Sequence, residues 1–136
     1  MRTRVPLRHE ALIAVVLVAT LVNVGGCRGP RDDERRAEAI ALTGGDPDRG
    51  RALLRTYGCA SCHTIPGVDG ASGLVGPPLA GIASRSYIGG VLPNTPQNMI
   101  RWIEDPKKVD SLTAMPDVGV SAPDARRIAA YLYTLR

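Results

Sequence analysis

The chain has 136 residues, a formal charge of +4 at neutral pH, and few aromatics: no Phe, one Trp and four Tyr. Discounting residues 1–26, which look removable, takes away three arginines and one glutamate and leaves +2 on one domain of roughly a hundred residues. So nearly balanced a charge, without interleaved aromatics, excludes nucleic acid as a partner, and so small an aromatic supply means that something other than side chains helps to fill the core.

In chain order, the first feature is an address. Arg2, Arg4 and Arg8 precede residues 11–24, which are apolar except for Thr20 and Asn23, and Gly25, Gly26 and Cys27 follow. A basic start, a short apolar run and a small-residue exit match an export signal; a spanning helix needs about 20 apolar residues. Val24-Gly25-Gly26-Cys27 resembles the lipobox of bacterial lipoproteins, in which the chain is cut before a cysteine that then carries lipid. The competing reading is an uncleaved N-terminal helix with Cys27 as an idle thiol. Either way the domain is exported, to the bacterial periplasmic side, and is tethered to a membrane. Residues 1–26 are therefore expected to be the signal and residues 27–45, of mixed charge, a flexible tether or frayed helix. Residues 46–136 form the functional domain.

Asp46-Pro47 is a helix start, and Gly50, Leu53, Leu54 and Tyr57 lie on one face of that helix before Gly58 ends it. Next comes Cys59-Ala60-Ser61-Cys62-His63, the C-x-x-C-H attachment sequence of c-type haem. The spacing has a chemical reason. Two thiols three positions apart share one side of a helical turn and can both add to haem vinyl groups, while the adjacent His63 is brought under the ring to ligate iron. A zinc site would need a fourth ligand, yet the only other histidine is His9 in the signal; a redox dithiol expects a βαβ pattern that this Gly/Pro-broken helical sequence lacks.

Thr95 and Pro96 cap and open a helix containing Met99 and Trp102, so Met99 is expected to be core packing. Met115 instead lies in Thr113-Ala114-Met115-Pro116, an irregular stretch after Pro106, where a thioether can reach the open haem face. Met1 leaves with the signal, which makes Met115 the expected second axial ligand; taken alone, a methionine is more often a buried gap-filler. Ser121-Ala122-Pro123-Asp124 reads as a capping-box-like start of a last helix, with Ala125, Ile128, Tyr131, Leu132 and Leu135 at helical spacing.

Over about its last 90 residues the sequence resembles a class I, mono-haem cytochrome c. The resemblance implies an all-α fold, three to five helices around one covalently attached haem c, and one-electron transfer between redox protein partners rather than enzymatic turnover. It implies further that the first and last helices cross with Gly50 against Tyr131. The carbonyl of Pro77, in Gly76-Pro77-Pro78-Leu79, would accept a hydrogen bond from His63. Arg85 and Thr113 would address a haem propionate, and Trp102 would stand beside the haem on the methionine side. Ordinary packing, a turn proline and solvated surface charge are the plainer readings of these residues, and Lys107 and Lys108 are either solvated or weakly steer an acidic partner. Residues 86–94 do not align with the family pattern. A haem enzyme of peroxidase type or a gas-binding sensor is the alternative function, and both need an open iron position, which Met115 would fill.

Overall fold

A computed structural model describes residues 29–136. The expected signal, residues 1–26, and Cys27 lie outside the described residues.

Among those residues the chain forms α1 (Pro30–Thr43), α2 (Pro47–Thr56), α3 (Pro96–Glu104), the single-turn α4 (Pro106–Val109) and α5 (Ala122–Thr134). Two 3₁₀ turns, Cys59–Ser61 and Ile82–Ser84, and a two-residue antiparallel hairpin, β1 (Tyr87–Ile88) with β2 (Leu92–Pro93), complete the described elements. The architecture is all-helical in substance, as expected.

Each helix begins for a local reason. Proline stands in the first turn of all five, where its missing N–H is no loss and its fixed φ suits the helix. Asp46 caps α2 by accepting from the amides of Asp48 (2.9 Å) and Arg49 (3.3 Å), and the Thr95 hydroxyl accepts from Asn98 N at the start of α3 (3.2 Å). The capping box expected at α5 does not form. Ser121 makes no side-chain cap to the helix, and Asp124 accepts instead from Tyr57 of α2 (2.8 Å) and from Arg127 (2.7 Å). A carboxylate that can reach a phenol and a guanidinium gains more there than from one amide.

The central packing is α2 across α5. A Cβ built on Gly50 would sit 1.8 Å from the Arg127 carbonyl oxygen, so backbone meets backbone at this crossing, and Leu54 and Ile128 are sealed beside it. Each such side chain contributes about 1.5–3 kcal/mol by burial. Tyr131, expected opposite Gly50, sends its hydroxyl to the Pro66 carbonyl (2.6 Å), tying α5 to the loop that follows His63.

The expected flexible tether over 27–45 needs correction for residues 30–43, which are helical and packed on α5. Ala39 is 1% exposed, Thr43 is buried with its hydroxyl on the Ala39 carbonyl, and Arg36 forks onto Asp48 of α2 (2.9 and 2.6 Å). Arg136 at the chain's end pairs with Glu38 (2.5 Å). Mixed charge concealed a narrow alanine-threonine seam, enough for docking against a helix of small residues such as Ala125 and Ala129.

Candidate haem-binding site

Gly58, at φ +73°, turns the chain out of α2 into the Cys59–Ser61 turn. The amides of Cys62 and His63 both reach the Cys59 carbonyl (3.2 and 3.0 Å), so the two thiols and the imidazole issue from one tight turn. Both cysteines are free and half-buried. Burial, with a smaller push from Cys62, holds the Cys59 thiol above its ordinary pKa, whereas its own backbone works in the opposite direction.

His63 is held on two sides. Its Nδ1 lies 2.8 Å from the Pro77 carbonyl oxygen. A carbonyl only accepts, so Nδ1 carries a proton and is the donor, which in the neutral ring leaves the lone pair on Nε2. Behind the ring is Gly76, where an added Cβ would lie 2.3 Å from His63 Cε1. The loop that supplies both is itself pinned, Gly76 N to Cys62 O at 2.8 Å and Leu79 N to Thr64 O at 2.9 Å. The hydrogen bond expected from the resemblance is thus present in the geometry. Gly76 is a site residue that sequence reasoning passed over; its place beside Pro77 was the available signal, but only the folded loop shows the imidazole lying on it.

On the other side of the sequence, Met99 is 2% exposed inside the core, as expected for a packing residue. Trp102 is buried in α3 with its ring against Gly89 of the hairpin turn. Met115 is half-buried, packed against the core from an irregular segment whose amide donates to the Thr113 hydroxyl (3.2 Å). Lys107 Nζ donates to the Thr113 carbonyl, while Lys108 pairs with Asp105 (3.0 Å). Arg85 donates through Nη2 to the carbonyls of Pro78 and Ala80, the latter at 3.1 Å, and so binds the very loop that holds His63.

Comparison with known proteins agrees with the geometry. The family model described as Cytochrome c matches residues 47–136. The chain belongs to the cytochrome c family. It is also 30% identical, over 90 residues, to the cytochrome c oxidase subunit 2 of Alkalihalophilus pseudofirmus; the match covers 65% of this chain and 25% of that protein. The chain therefore spans about a quarter of the length of that relative. Membership implies haem c, haem-based electron transfer and redox protein partners.

The residues present fit that group. An imidazole whose Nδ1 is engaged by Pro77, two free thiols on one turn and a half-buried thioether are the donors that a covalently held haem takes. Among the described residues no cluster of three or more His, Cys, Asp or Glu could hold a bare metal ion. Leu74 and Leu112 are 87% and 91% exposed on the segments leading to Gly76 and Met115.

Proposed function

We propose that this cytochrome carries a single haem c, which Cys59 and Cys62 would bond and whose iron His63 and Met115 would hold, and works as a membrane-anchored one-electron carrier. The observation that carries the reading is the hydrogen bond from His63 Nδ1 to the Pro77 carbonyl, which holds the imidazole beside the turn that bears both thiols.

Haem c, when bound, supplies an iron centre that cycles between two oxidation states one electron apart. The chain's own residues do the rest. His63 and Met115 would both hold the iron in either state, which would keep rearrangement small, and the thioether would favour a higher potential than a second histidine. Pro77 holds the proton on Nδ1 and raises the basicity of His63. Buried Met99, Trp102 and Ile103 keep water from that side of the core. Arg85 has five N–H donors and uses those of Nη2 on carbonyls, leaving Nε and Nη1 to address a propionate, with the Thr113 hydroxyl as a second donor.

The likeness to an oxidase subunit supports a respiratory chain as the setting, with this protein as shuttle or as subunit. Anchoring rests on the sequence of residues 1–27: no helix among the described residues is long and apolar enough to cross a membrane. One preparation tests both parts. In the oxidised wild type a methionine-to-iron charge-transfer band at the red edge of the visible spectrum should be present and should vanish in Met115→Ala but not in Met99→Ala. In the same cells the protein should fractionate with membranes, and Cys27→Ser should release it. Persistence of the band in Met115→Ala assigns the ligand elsewhere, and a wild type lacking the band favours an open-site enzyme or sensor.

A further inference from the structure

The hydrogen bonds of the 82–94 segment converge on one side chain. Asn94 donates through Nδ2 to the carbonyls of Ile82 and Arg85, both at 2.8 Å, and its own amide donates to the Ser86 carbonyl at 2.9 Å. Two carbonyls can only accept, so the amide nitrogen must face them and Oδ1 must face away. There it accepts from the hydroxyl of Tyr133 at 2.8 Å, a group that burial keeps protonated to a pKa of about 12. The turn closed by Asn94 is the one that carries Arg85, and the Arg85 guanidinium grips the Pro78 and Ala80 carbonyls. Pro77, next in that loop, accepts from His63. An unbroken path of hydrogen bonds and short covalent links thus runs from the last helix to the imidazole.

We infer that Asn94, oriented by Tyr133, is a positioning residue for His63: it sets the Ile82–Ser86 turn, through it the reach of Arg85, and through Arg85 the place of the Pro77 carbonyl. The inference rests on His63 being the haem ligand. Its consequence is electronic as well as structural. Slackening the Pro77 carbonyl weakens the bond from Nδ1, makes the imidazole a poorer donor and disfavours the oxidised state, so the potential rises. A neutral side chain without the amide, or a phenol without its hydroxyl, moves the potential in the same direction and by unequal amounts.

The test uses the haem-loaded full chain as wild type, Asn94→Ala, Asn94→Asp, Tyr133→Phe and, as a control, Tyr57→Phe, which removes a hydrogen bond of comparable burial between α2 and α5 that lies outside the Asn94, Arg85 and Pro77 chain. Redox titration is paired with the NMR signal of the His63 Nδ1 proton and with thermal unfolding. We expect Asn94→Ala to raise the potential, tilting the oxidised-to-reduced ratio on the order of threefold, where tenfold is about 59 mV for one electron, whereas Asn94→Asp adds a negative charge that favours the oxidised state and is therefore read through the Nδ1 signal. The Nδ1 proton should exchange faster in both, Tyr133→Phe should follow by less, and Tyr57→Phe should lower only the unfolding temperature. If every neutral variant loses stability while potential and Nδ1 signal stay at wild-type values, Asn94 is a brace and the inference fails. Should Asn94→Ala not fold, Tyr133→Phe decides by the same readouts. Failure of the ligand reading is separately visible: the wild type itself would then show no haem-shifted His63 signal.

Discussion

At Gly76 the constraint is set by ångströms: a Cβ added there would find a ring carbon of His63 at 2.3 Å, and the ring has a hydrogen bond to lose by moving. Gly76→Ala should therefore displace the imidazole, at a cost of about 1–3 kcal/mol as for other overpacked sites. Absorbance after haem loading checks this: a fall in low-spin haem is expected. Gly29→Ala, where nothing lies within 4 Å, should behave as wild type. Of the site, the tight turn of the Cys59–His63 pentapeptide was legible from its local spacing, and the hydrogen bond between His63 and Pro77 from the family resemblance. Gly76, Asn94 and Tyr133 were not. Their partners lie 13, 12 and 39 positions away, for Gly76 with His63, Asn94 with Ile82, and Tyr133 with Asn94.

At the scale of elements, the start signals read from proline and its capping neighbours located α2, α3 and α5, since a cap is a local interaction between one side chain and the next few amides. The same logic was available for α1, with Pro30 in its first turn, Asp32 and Asp33 beside it and Gly44 at φ +69° closing it. What concealed it was composition. The unbroken charged run over residues 31–36 suggested solvent on all sides, whereas the docking face needs only Ala39 and Thr43 because α5 offers a small-residue surface in return. Ala39→Leu should overpack this seam by about 1–3 kcal/mol and lower Tm by about 4–8 °C for each kcal/mol. Thermal unfolding measures it; an unchanged Tm would return residues 30–43 to the role of a tether. The 86–94 segment resisted reading for another reason. It folds as a two-rung hairpin whose Gly89 lies on Trp102, too short a strand pair to leave a periodic trace.

For the whole molecule, several pKa shifts define the pH range of stability. The Tyr57 hydroxyl, then Arg127, hold Asp124 below the usual carboxylate range, and Lys108 does the same for Asp105. A depressed carboxyl stabilises the fold above its unfolded value of about 3.9, and that stability is lost as pH falls through the folded pKa. Burial raises Tyr131 and takes Tyr133 to about 12, so each stabilises the fold below about pH 10 and loses that contribution as pH climbs through the raised value. Unfolding followed against pH should show a plateau with an acid limb beginning near pH 4 and an alkaline limb between about pH 10 and 12. Tyr57→Phe should make the acid limb shallower, because Asp124 then titrates closer to its unfolded value. An acid limb of unaltered slope would remove that link between α2 and α5.

The sequence by itself determined the starts of α2, α3 and α5 and the tight turn of the Cys59–His63 pentapeptide, because each follows from neighbours within four or five positions. It also carried the family resemblance, through the order of Cys59, His63, Pro77 and Met115. Only the tertiary structure decided that α1 belongs to the folded body, that Gly50 admits backbone against backbone, and that Asn94 and Tyr133 stand behind the loop holding His63. Those outcomes depend on which distant surfaces come within a few ångströms of each other, and close packing over long loops is a property of the whole chain rather than of any window along it.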